Sequence, residues 1–91
     1  MSKLSENKIK KIKEEILSLL YHNNLKAMFT NSISQELIRD EEFVKRLLLE
    51  LKKEDLVIEV KKSHKGAEYS RRRRWQLSPK ALEAYKGLIE Q

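Results

Sequence analysis

The sequence predicts an α+β domain in which three helices build the core, a β-hairpin follows them, and a further helix closes the chain. Three observations carry this expectation. Apolar residues recur at helical spacing in the first half, two short segments alternate apolar and polar residues around a polar stretch containing Gly66, and Ser78-Pro79 precedes a last amphipathic stretch. With 91 residues the chain has room for one modest core, so residues 1–91 are read as a single domain.

The first helix is marked by Ile9, Ile12, Ile16, Leu19 and Leu20, with Ser5 as N-cap and Asn23-Asn24 as the stop. Its other side carries Lys10, Lys11, Lys13 and Glu14, a solvated face. Ala27-Met28-Phe29 is a short apolar, extended segment. Ser32 and Gln35 have capping-box spacing, which starts a short second helix at Ser32 before Ile33 and Leu37. The pattern breaks near Arg39, and Asp40 caps a third helix with Val44, Leu47, Leu48 and Leu51 on one stripe.

Leu56, Ile58 and Val60 alternate with Val57, Glu59 and Lys61, the signature of a half-buried strand. Trp75 and Leu77 alternate with Arg74 and Gln76 in the same way, so the two segments form a hairpin whose tip lies between Ser63 and Ser70. Pro79 occupies the first position of a helix, where its missing N–H costs nothing. Leu82, Tyr85, Leu88 and Ile89 then form an apolar stripe, read as a surface for pairing with a second copy because a small core gains from such burial.

Charge separates the segments more sharply than hydropathy does. Lys plus Arg number 20 against 14 Asp plus Glu, a formal net charge of +6 that suits a polyanionic partner. Between Lys61 and Lys80 stand Lys61, Lys62, Lys65, Arg71, Arg72, Arg73, Arg74 and Lys80, with Glu68 as the only acidic residue. In a strand, Arg71 to Arg74 alternate between the two faces of the hairpin and can grip phosphates from either side. A localisation signal or a merely soluble edge strand is the plainer alternative. Like charges crowded on one short hairpin repel one another, and a polyanion removes that repulsion.

On the third helix, a core stripe of Val44, Leu47, Leu48 and Leu51 turns Glu42, Arg46, Leu49 and Lys53 outward, flanked by Lys45 and Lys52. Arg46 or Lys45 suits guanine in a major groove, and Leu49 suits a thymine methyl group. A solvated face whose acidic first turn complements the helix dipole is the alternative. An outward Leu49 also suits contact with another protein.

Other chemistry is poorly supplied. The chain has no cysteine, hence no disulfide or thiolate zinc site, which fits a reducing compartment. His22 and His64 lack metal-ligand spacing. Glu14-Glu15 and Glu41-Glu42 are adjacent on helices, so their side chains diverge and make no acid–base pair. No phosphate loop or nucleophile motif implies an enzyme, a cofactor or a small-molecule ligand. No apolar stretch approaches the roughly 20 residues of a membrane span, so a soluble, cytoplasmic protein is expected. Trp75, in phase with Leu77, is expected in the core, whereas Tyr69 near the hairpin tip is free to stack on a base.

From Ile9 to about Tyr85 the sequence resembles the winged helix-turn-helix domains of bacterial and archaeal regulators, of the broad MarR, ArsR and PadR kind. The resemblance rests on Val44, Leu48 and Leu51 running into Asp55-Leu56-Val57, similar to a recognition helix entering the first wing strand. It rests also on Trp75-Gln76-Leu77-Ser78-Pro79-Lys80, similar to the end of a wing entering the last helix. Asp55 stands where the family usually has Gly, and Asp tolerates a left-handed turn better than most residues. Asp40, Glu41 and Glu42 make the start of the recognition helix more acidic than is usual.

The resemblance implies a winged helix with its helix-turn-helix at about 32–54, its wing at about 56–77 and its last helix at about 79–90. It further implies a transcriptional regulator bound to double-stranded DNA on the nucleoid, and the apolar stripe of the last helix adds the expectation of a homodimer. Lys45, Arg46, Leu49 and Lys53 would face the major groove, with Lys61, Lys62, Lys65 and Arg71 to Arg74 on the backbone. A module that binds RNA or protein within a transcription, replication or ribosomal assembly is the alternative favoured by the acidic helix start and outward Leu49.

Overall fold

A computed structural model describes residues 5–60 and 73–89, with the Ile89 side chain outside the description. The elements in chain order are α1 (Glu6–His22), β1 (Met28–Phe29), α2 (Thr30–Leu37), α3 (Glu41–Lys53), β2 (Val57–Val60), β3 (Arg74–Leu77) and α4 (Pro79–Ile89). Candidate residues Lys61, Lys62, Lys65, Arg71 and Arg72, together with His64, Gly66 and Tyr69, lie outside the described residues.

The helix ends follow local chemistry. Ser5 Oγ accepts the Lys8 N–H at 3.2 Å, and Asp40 Oδ2 accepts that of Phe43 at 3.0 Å, each satisfying a donor with no partner inside its helix. α3 ends in a Schellman turn: the Asp55 N–H reaches the Lys52 carbonyl and the Leu56 N–H that of Leu51, with Asp55 at φ 64°. This is the left-handed turn expected of Asp55. α2 ends in the same way, but there Ile38 takes the left-handed position at φ 55°. Ser78 Oγ caps α4 by accepting the Ala81 N–H at 3.0 Å, and its hydroxyl donates to the Asp55 carbonyl at 2.9 Å. One serine therefore starts the last helix and ties it to the turn behind α3.

Two expectations are corrected. The second helix begins at Thr30, with no side-chain cap, so Ser32 lies inside it. The cause is tertiary. Phe29 pairs with Arg74 in the sheet, the Thr30 N–H donates to the Arg73 carbonyl at 3.2 Å, and Thr30 Oγ1 accepts the Trp75 indole N–H at 2.8 Å. The chain thus turns from strand into helix without a separate cap. In β2 the buried phase begins with Val57, 1% exposed, while Ile58 is 39% exposed. Val57 is opposite Leu77 and Glu59 is opposite Trp75, so the inward face of β3 sets the phase of β2.

The sheet is antiparallel in the order β1-β3-β2, making the apolar segment at Met28–Phe29 a third strand beside the hairpin arms. The core joins Ile12, Ile16 and Leu20 of α1, Ile33 of α2, Val44, Leu47, Leu48 and Leu51 of α3, and Val57, Trp75, Leu77 and Ala81. Trp75 is fully buried, as its phase predicts. Among the described residues no helix is long and apolar enough to cross a membrane, and no group of three or more His, Cys, Asp or Glu side chains is placed to hold a metal ion.

Candidate nucleic-acid interface

α3 is fixed from behind and open in front. Val44, Leu47, Leu48 and Leu51 are at most 2% exposed. Above them Lys13 of α1 reaches the carboxylates of Glu50 and Glu54 at 3.0 and 3.4 Å. Burial works against the Lys13 charge, but the two carboxylates outweigh it and hold the ammonium above the usual lysine range. This strut keeps the helix from rolling on its apolar stripe.

The face turned outward carries Glu42, Arg46, Leu49 and Lys53, all exposed, with Lys45 half-buried at its flank. Arg46 lies with its guanidinium 5.8 Å from the Phe43 ring centroid, and neither Arg46 nor Lys53 has a carboxylate partner among the described residues. Lys45 approaches the exposed Glu42 at 3.9 Å, a long contact open to solvent and of little strength in water. Asp40, Glu42, Phe43, Lys45, Arg46 and Leu49 line one shallow groove along this face. A second, lined by Phe29, Thr30, Asn31, Glu41, Glu42, Lys45 and Arg73, continues it to the base of the hairpin. Lys45, Arg46 and Leu49 of α3 are therefore joined to Arg73 in one surface.

At the hairpin base the two described arginines have different surroundings. Arg73 Nε lies 3.2 Å from Glu59 Oε2, whereas the Arg74 guanidinium rests 5.9 Å from the Phe29 ring centroid on the other face of the sheet. An aromatic ring leaves a cation its charge; a carboxylate cancels it. Asn31, Glu41 and Glu59 also stand at this surface, and none of them is among the site residues expected from the sequence. Asn31 and Glu41 are 10 positions apart, and Glu59 meets Lys52 7 positions before it and Arg73 across the hairpin, separations that cross from one element to another and follow no periodicity within either.

The expected pairing surface is partly used within the chain. Leu82 packs on the core, and the Tyr85 ring lies 5.2 Å from that of Tyr21. Burial, then the Glu14 carboxylate, push the Tyr85 phenol above the usual tyrosine range. Leu88 is 70% exposed.

No family model and no curated protein matches the chain. Solved structures do. A Staphylococcus aureus MepR–DNA complex matches with a TM-score of 0.67 at 23% identity, over 86% of this chain and 62% of that one. S. aureus MepR in its DNA-binding conformation gives 0.70 at 19% identity, covering 93% and 63%. A Lactococcus lactis ZitR mutant in apo form gives 0.70 at 20%, covering 92% and 58%. The chain spans less than two thirds of the length of these neighbours. The likeness is one of fold: like these neighbours the chain is a winged helix, α+β, with three helices, a three-stranded sheet and a further C-terminal helix.

Proposed function

We propose that this chain binds double-stranded DNA with sequence preference and acts as a transcriptional regulator. The observation that carries the reading is the open surface running from Arg46 and Leu49 of α3 past Lys45 to Arg73 at the base of the wing. The same fold is found in MepR, a transcription regulator of a multidrug efflux pump that has been seen bound to DNA. α3 docks toward a major groove, where Lys45, Arg46 and Leu49 meet base edges and Lys53 meets the backbone. The wing, whose basic residues are Lys61, Lys62, Lys65 and Arg71 to Arg74, lies on adjacent phosphates, which supply affinity while α3 supplies preference.

Such a protein acts in the cytoplasm on the nucleoid and does no catalysis of its own. A gel-shift titration with duplex DNA, repeated with excess RNA, tests the partner. Retention of the shifted duplex under RNA competition is expected. Its complete loss would favour the RNA-binding alternative, and absence of any shift would favour the protein-binding one.

A homodimer is the second part of this reading, with α1 and α4 meeting their copies through Leu82, Tyr85, Leu88 and Ile89. Leu88 supports it, being a large aliphatic side chain left 70% exposed on the last helix. Light scattering at tens of micromolar should give twice the chain mass, and Leu88→Glu should halve it. A monomer in the unaltered protein contradicts the pairing.

A further inference from the structure

One carboxylate joins the last turn of α3 to the base of the wing. The Glu59 side chain is only 8% exposed; its Oε1 accepts from Lys52 Nζ at 3.2 Å and its Oε2 lies 3.2 Å from Arg73 Nε. Arg73 is held a second time through its backbone, whose carbonyl accepts the Thr30 N–H at 3.2 Å and the Thr30 hydroxyl at 3.5 Å. That hydroxyl in turn accepts the Trp75 indole N–H. Glu59 itself stands opposite Trp75 in the sheet register.

We infer that Glu59 is a positioning residue: it withholds Arg73 from the phosphates and ties the base of the wing to the end of α3. This rests on the DNA-binding reading above. A nearly buried carboxylate with a cation on each oxygen does not release one cheaply, because its charge would then be left poorly compensated. Affinity from counterion release counts only cations that neutralise phosphates, so an arginine already matched by a carboxylate adds nothing to the salt dependence. The run Arg71 to Arg74 is therefore not four equivalent grips. Arg74, resting on a ring, keeps its charge for a phosphate; Arg73 is a tie within the fold.

The test is a double-mutant cycle read as the slope of log affinity against log salt on a random-sequence duplex, using the full chain. Arg73→Ala alone should leave the slope unchanged. Glu59→Gln, which keeps shape and removes charge, should tighten binding and steepen the slope by about 0.9 as Arg73 reaches a phosphate. Arg73→Ala added to Glu59→Gln should then remove about 0.9 again. Emission from Trp75, the single tryptophan, checks that each variant keeps its core.

A slope that falls by about 0.9 on Arg73→Ala in the unaltered background overturns the inference, and this arm decides even if Glu59→Gln unfolds. So does a Glu59→Gln slope no steeper than the parent's, or one matched by Glu15→Gln on the remote face of α1, which would reduce the effect to net charge. If the parent fails to bind the duplex at all, the DNA-binding reading falls and the inference with it. A parent that binds steeply while the cycle stays flat overturns the inference alone.

Discussion

The outward face of α3 and the base of the wing are both basic in sequence, yet they hold their charges differently. On α3, Arg46 and Lys53 face solvent with no carboxylate partner among the described residues, and Lys45 has only a loose one. At the wing base, Arg73 is tied to Glu59 while Arg74 rests on Phe29. A count of like charges therefore overstates the phosphate-binding footprint. What matters is which cations are already matched within the fold. Free cations over an open groove suit base reading; at the wing base a cation tied to Glu59 stands beside one that keeps its charge.

The largest expected effect lies on the wing. Arg72→Ala with Arg74→Ala should weaken binding on every duplex sequence and lower the magnitude of the log–log salt slope by about 1.8, two contacts at about 0.9 each. Folding should persist, since Trp75 and Leu77 still fill the core. A titration across salt concentrations measures both quantities. If the double variant binds like the parent at every concentration, the wing is not the electrostatic anchor, and the comparison collapses onto α3.

Next in size is Arg46→Ala. It should cost about 1–3 kcal/mol on a preferred site and much less on random duplex, the pattern of a base contact. Competition binding with the two duplexes separates the losses. Equal losses on both would make Arg46 another phosphate contact and remove the distinction between the regions.

How these regions were legible differs as well. The stripe of α3, its Asp40 cap, the Asp55 turn and the Ser78-Pro79 helix start are written locally, in spacings of three or four residues and in single turn residues. Trp75 was likewise readable from its phase with Leu77. The start of α2 was not, because the contacts that begin the helix at Thr30 reach Arg73 and Trp75 more than 40 positions away. The phase of β2 was hidden by apolar residues on both faces, Val57 and Ile58, and only pairing with Leu77 decides between them. Glu59 reads locally as the polar half of an alternating strand. Its role depends on Lys52 and Arg73 converging from either side, which no single segment contains.

The smallest effect concerns the turn between α2 and α3. Ile38 is β-branched, 87% exposed and left-handed at φ 55°, a conformation costing such a residue about 1–2 kcal/mol. Glycine removes that strain but loses about 0.5–1 kcal/mol through its greater freedom when unfolded. Ile38→Gly should therefore raise stability by about 0.5 kcal/mol, seen as a higher melting temperature, with DNA affinity unchanged. A loss of affinity would extend the DNA-facing surface from α3 into this turn.

Central to this account is that α3 reads bases while the wing holds the backbone. Footprinting on a site enriched from random duplexes, probing guanine N7 with dimethyl sulfate and the backbone with hydroxyl radicals, tests that division most directly. The parent should protect N7 positions in one major-groove segment and the backbone beside it, and Arg46→Ala should lose the N7 protection while keeping that of the backbone. Backbone protection in the parent with every N7 left reactive would contradict the account.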